Sequence, residues 1–111
     1  MAEQEPKEPY NASEEAHVRA GRRKAKLERD QHLADVRLVM DTIGGRRVVW
    51  GLLEAAKIFH PTFAQDPYLT AWQEGGRNLG LRILSDVMEA CPDLYLKAQA
   101  EANQQQEQDN G

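Results

Sequence analysis

The chain of 111 residues contains one cysteine, Cys91, and few aromatics: two Trp, three Tyr and two Phe. A lone cysteine forms no internal disulfide and supplies no thiolate cluster for structural zinc. No apolar run approaches the roughly 20 residues that span a bilayer. The start, Met1-Ala-Glu-Gln-Glu-Pro, lacks the apolar stretch of a secretory signal, so synthesis in a cytosol is expected. The net charge of -4 excludes a protein that is basic throughout, of the kind that coats nucleic acid, but leaves room for a local basic patch.

Catalytic patterns are also missing. His17, His32 and His60 share no i, i+4 relation and sit in no Cys/His cluster, so surface or loop positions are expected for them. Cys91 stands at a helix start, where a thiol pKa can fall, but no histidine lies near it in sequence. A buried small residue is the alternative there. The run Gly75-Gly76-Arg77-Asn78-Leu79-Gly80 has no strand before it and lies inside a helical pattern, unlike a phosphate loop. No enzyme, metal or cofactor is expected.

What is present is helical periodicity, with no useful period-two alternation. Residues 1–12 are acidic and carry Pro6 and Pro9, so they should be extended or disordered alone. Residues 13–32 read as a basic, solvated helical arm. From Leu33, the residues Leu33, Val36, Met40 and Ile43 share one helical face, and Gly44-Gly45 is expected to end that helix. A second helix, about 46–59, carries Val49, Leu52, Leu53 and Ala56 with Trp50 at its edge, until Pro61 stops it. After a loop over 60–69, Thr70 and Gln73 fit a capping box for a third helix of about 70–90. Its expected core stripe is Trp72, Leu79, Ile83, Val87 and Met88, with Leu84 close by. Pro92 opens a further helix, docked by Leu94, Tyr95 and Leu96. The Gln-rich tail, 99–111, should fray unless a partner holds it. The expectation is an all-α bundle of three to four short helices over 33–98, with an N-terminal helical arm and polar tails.

Two groups of residues stand out as partner-binding candidates. Arg19, Arg22, Arg23, Lys24, Lys26 and Arg29 crowd one stretch, and all but Lys24 cluster along one side of a helix. Such a stripe suits a phosphate backbone or an acidic protein surface. A solvated face paired with its own acids is the plainer alternative. With no aromatic, Asn or Gln there, binding to nucleic acid would be insensitive to sequence. The second group is Arg46, Arg47, Trp50, Glu74, Gly76, Arg77, Asn78 and Gly80. Arginine at a helix start opposes the helix dipole and implies an acidic or phosphate partner, with Glu74 the obvious internal carboxylate. Gly76 and Gly80 open a flat strip, to be filled by the second helix of the same chain or by a neighbouring subunit.

The segment Asp35-Val-Arg-Leu-Val-Met, the block Gly45-Arg-Arg-Val-Val-Trp50 and the block Glu74-Gly-Gly-Arg-Asn-Leu-Gly-Leu81, in this order, resemble a family of small tailed-phage virion proteins. That family is typified by a gene product from the structural module of the Bordetella short-tailed phage (a podovirus). The resemblance covers about residues 33–98, leaving the basic arm and the Gln-rich tail outside. It implies a virion component made in the host bacterial cytoplasm, with other virion proteins (portal, head or tail) as partners and no enzymatic role. Such a module suits the head interior or the portal vertex, near packaged DNA, and a place among proteins ejected with the genome. A scaffold-like assembly factor and a small helical DNA-binding regulator are the alternatives. A recognition helix needs a polar outer face, and the helix after Arg46 and Arg47 is largely apolar.

Overall fold

In a computed structural model, residues 11–60 and 66–111 are described. The acidic segment over 1–10 and the part of the 60–69 loop at 61–65 lie outside the described residues. Four helices and no strand are found among the described residues: α1 (Ala12–Met40), α2 (Ile43–Ala55), α3 (Pro67–Ala90) and α4 (Pro92–Asn110). The expected all-α fold is therefore present. The chain divides into two compact units, Met1–Gln31 and His32–Gly111, and α1 runs unbroken through the boundary. The charged stretch after Ser13 and the apolar one after Leu33 are thus one helix, begun by the Asn11 side chain, which accepts from the backbone N–H of Ser13 and Glu14.

Gly44-Gly45 does not end α1. Only Asp41 and Thr42 separate α1 from α2, and both glycines lie in the first turn of α2. Thr42 is the N-cap, its hydroxyl accepting from Gly45 N at 3.0 Å. No glycine among the described residues has a positive φ. Gly45 is needed for space, since a Cβ there would overlap the Val39 carbonyl. The glycine that seemed to serve a left-handed helix end instead lets the start of α2 lie against the end of α1.

The left-handed residue falls one helix later, at Lys57, with φ 57°. Lys57 N donates to Glu54 O at 2.9 Å and Ile58 N to Leu53 O at 3.4 Å, the paired bonds of a Schellman ending. This turn carries Ile58 into the interior beside Leu53, its usual apolar companion in that motif. For α3 the starting residue is Asp66 rather than Thr70. Its carboxylate accepts from Tyr68 N at 2.9 Å, and Pro67 occupies the first helical position, where no donor is wasted. The expected Thr70–Gln73 box is thereby displaced into the helix interior.

A core of Met40, Val87, Cys91 and Ala98 is lined by Val36, Val49, Trp50, Ala90, Leu94 and Tyr95. The stripe expected for α3 holds at Val87, which is buried, and at Ile83, which is half-buried, but not at Trp72, Leu79 and Met88. Trp72 is 78% exposed and Leu79 62%, and Met88 is exposed as well, while Gly80 and Val87 are the buried positions. The reason is steric. Gly80 approaches the end of α2 so closely that a Cβ would stand 2.5 Å from Ala56 Cβ and 2.6 Å from Ile58 Cγ2. The face bearing the missing side chain turns inward, and the bulky face turns out.

The polar tail over 99–111 forms the last turns of α4, which continues to Asn110. Ala98 is buried, and Glu101 and Ala102 are half-buried against the rest of the bundle.

Two of the glycines of α3, Gly76 and Gly80, should respond oppositely to alanine. Gly76 has open space around a new Cβ, so Gly76→Ala is expected to stabilise the fold by about 1 kcal/mol through helix propensity. Gly80→Ala gains the same propensity but forces α2 and α3 apart, an overpacking of about 1–3 kcal/mol that leaves a net loss. Urea unfolding of the two variants, measured at dilute concentration, checks the contrast.

Candidate partner-binding surfaces

Arg46 is buried, and its partner is not Glu74. Its Nε donates to Glu101 Oε1 at 2.8 Å and its Nη2 to Glu101 Oε2 at 3.0 Å, the two-pronged geometry that matches a guanidinium to a carboxylate. The third arm, Nη1, donates to the Met40 carbonyl at 2.9 Å, one of the acceptors that α1 leaves open at its end. The hydrogen bonds from Arg46 hold the Glu101 carboxyl below its ordinary value of 4.5, and Glu101 in turn raises the guanidinium. The expected pairing of Arg46 with Glu74 does not form: Arg46 turns to α4, and Arg47 is exposed. Glu74 and Arg77 are half-buried on α3, and the Arg77 Nε lacks a hydrogen-bond partner among the described residues. Glu101 was missed because it lies 55 positions from Arg46, within a Gln-rich run that carries no apolar signal.

Above this pair, α2 and the end of α4 flank an open groove of about 700 Å³. Ile43, Arg47, Trp50, Gly51, Ala102 and Gln105 are among the residues that line it. Trp50 stacks on Phe59 with ring centroids 5.5 Å apart and tilts against Tyr95 at 5.8 Å, and its indole N–H has no acceptor among the described residues. The groove thus unites Arg46, Arg47 and Trp50. Glu74, Gly76, Arg77, Asn78 and Gly80 belong to α3. Of these, Gly80 is filled by α2 of the same chain, whereas Gly76 meets nothing within 4 Å.

In the basic stretch of α1, three cations are matched by acids one turn along the helix. Arg19 reaches Glu15 at 2.6 Å, Lys26 reaches Asp30 at 2.8 Å, and Lys24 stands 4.0 Å from Glu28. These pairs are exposed and contribute little to stability. Arg29 is half-buried and engaged. Arg22 and Arg23 are exposed and have no acidic partner among the described residues. The stripe is therefore partly self-neutralised, with its open positive charge at Arg22 and Arg23.

Cys91 is fully buried, and burial pushes its thiol above the ordinary value, the opposite of an activated nucleophile. His17 and His60 are exposed, while His32 Nε2 lies 2.8 Å from Asp86 Oδ2, joining α1 to α3. No group of three or more His, Cys, Asp or Glu among the described residues is arranged to hold a metal ion. No helix among them is long and apolar enough to cross a membrane.

The linkage sign for Glu101 is that of a depressed acid. Its contribution is full above about pH 4.5 and is lost as pH falls through the lowered native value. Glu101→Gln should therefore lower the Tm by roughly 5 °C or more at neutral pH. The gap between wild type and variant should narrow below pH 4.5, as thermal melts across a pH series would show.

A family described as Bbp19-like phage protein matches the chain over residues 36–100, more than half its length. That span begins within α1 and takes in α2, α3 and the first half of α4. No curated protein and no solved structure matches the chain.

Proposed function

The chain belongs to the Bbp19-like phage protein family, and from that premise we propose that it is a minor structural protein of a short-tailed phage particle. It sits inside the head or at the portal vertex and leaves with the genome. The observation that carries this reading is the basic stretch of α1, where Arg22 and Arg23 face solvent without an acidic partner among the described residues. Guanidinium groups so placed meet a phosphate backbone or an acidic virion surface without reading bases. The groove between α2 and α4 supplies a second, protein-facing contact through Arg47 and Trp50.

The rival reading, a helix-turn-helix regulator, is disfavoured by α2. Arg46 is consumed by Glu101, and the exposed face of α2 includes Val48 and Leu52. Arg47 and Glu54 are its exposed charged residues, too few to read base edges. No catalytic role is part of this proposal: the one thiol, Cys91, is buried.

Mass spectrometry of purified particles before and after triggered DNA release tests the placement. Presence in full particles and loss on release is expected. Retention in emptied particles assigns it to a fixed portal or tail position, and absence from both makes it a scaffold or regulator. For the basic stretch, the double change Arg22→Ala and Arg23→Ala should weaken binding to DNA of any sequence. It should also reduce the salt slope by about 1 for each phosphate contact removed, and an unchanged slope rules out DNA as its partner.

A further inference from the structure

The outward face of α3 is unusually apolar for a surface left open among the described residues. Tyr68 is 87% exposed and Trp72 78%, and with Leu79 they align along one side of the helix at about 100° per residue. Gly75 lies between them on the same line, with nothing within 4 Å of a Cβ built there. Just after Leu79 comes Arg82, exposed and without an ion-pair partner among the described residues, and Asp66 stands at the helix start. Asp86, the next residue along the line, is held by His32 and closes the free face.

We infer that this face pairs with the same face of a second copy, two α3 helices crossing antiparallel about a twofold axis at Gly75. The face is self-complementary about that glycine. Tyr68 lies seven residues before Gly75 and Arg82 seven residues after it, so antiparallel pairing brings each Arg82 over the Tyr68 ring of the other copy. It also places Arg82 near the acidic start of the facing helix, at Asp66. Trp72 and Leu79, on opposite sides of the axis, fill the space each leaves beside the bare backbone of the other copy. The bare backbones at the crossing permit close approach, and the twofold axis makes the contact isologous.

The available area agrees. At about 150–250 Å² for each aromatic side chain, Tyr68, Trp72, Leu79 and the edge of Leu69 present roughly 500 Å² of apolar surface per copy. A twofold pair then buries on the order of 1,000 Å², the lower bound of a specific interface. That size points to a reversible dimer rather than an obligate one. The inference is independent of the virion reading: a dimer of a chain missing from particles leaves it standing.

Sedimentation equilibrium of the full chain across about 1–100 μM is the test. A monomer–dimer equilibrium is expected, weakened about 30-fold or more by Trp72→Asp, as for a central aromatic anchor. Trp72 is exposed, so circular dichroism of the variant should match wild type. Leu96→Asp, an exposed apolar position on α4, should leave association unchanged. Under mild oxidation Gly75→Cys should give a covalent dimer across the axis, since a disulfide needs Cα atoms about 4.4–6.8 Å apart, with buried Cys91 staying reduced. A monomer at every concentration overturns the inference, as does a dimer insensitive to Trp72→Asp. A chain that is monomeric alone but is lost from particles on Trp72→Asp also overturns it, assigning the face to a different virion protein.

Discussion

The guanidinium of Arg46 lies where three helices meet, and most of the bundle's particular geometry follows from satisfying it. A buried cation is tolerated only when its donors are used. Two of them take the Glu101 carboxylate from α4, and one takes the Met40 carbonyl at the end of α1. For Nη1 to reach that carbonyl, α2 must begin almost on top of the end of α1. The two-residue link, the Thr42 cap and the side-chain-free Gly45 against the Val39 carbonyl provide that approach. The same ion pair anchors the distal part of α4, which has no buried side chain after Ala98. Desolvation offsets much of what such a pair contributes to net stability. Its effect is one of selection: arrangements that separate Arg46 from Glu101 leave a buried guanidinium and a half-buried carboxylate without their partners.

Around this polar junction the apolar core is small, and large apolar side chains on α2 and α3 remain outside it. A chain of this length buries a modest share of its surface. The groove between α2 and α4, the outward face of α3 and the basic stretch of α1 are chemically distinct: mixed, apolar and cationic.

The helical class was legible in the sequence, because apolar spacing of three and four needs no tertiary knowledge. The Pro92 start and the placing of Val87 and Leu53 inside were legible for the same reason. Three features were not. Glycines fit both a helix end and a close approach, and only the position of the Val39 carbonyl decides which role Gly45 plays. On α3, two lines of residues have equal periodicity. Hydropathy selects Trp72 and Leu79, whereas the packing with α2 selects the line through Gly80, where absence of a side chain brings the helices together. Glu101 sits among glutamines with no local mark of burial, since pairing over such a separation is set by the fold and not by neighbours. Among the candidate residues, Arg46 was found but given the wrong carboxylate. The open cations Arg22 and Arg23 could be told from their matched neighbours only by geometry.

The corner between α3 and α4 has no linker at all. Cys91 closes one helix, donating to the Val87 carbonyl, and opens the next, accepting from Leu94 and Tyr95. It therefore works as a ruler, because the count of residues from Cys91 to Glu101 alone decides the compass bearing at which that carboxylate meets α2. A single inserted residue would swing the rest of α4 by about 100° and carry Glu101 off its mark. Variation in length among relatives of this chain is thus expected to collect in the connection between α2 and α3, while the α3–α4 corner keeps its count.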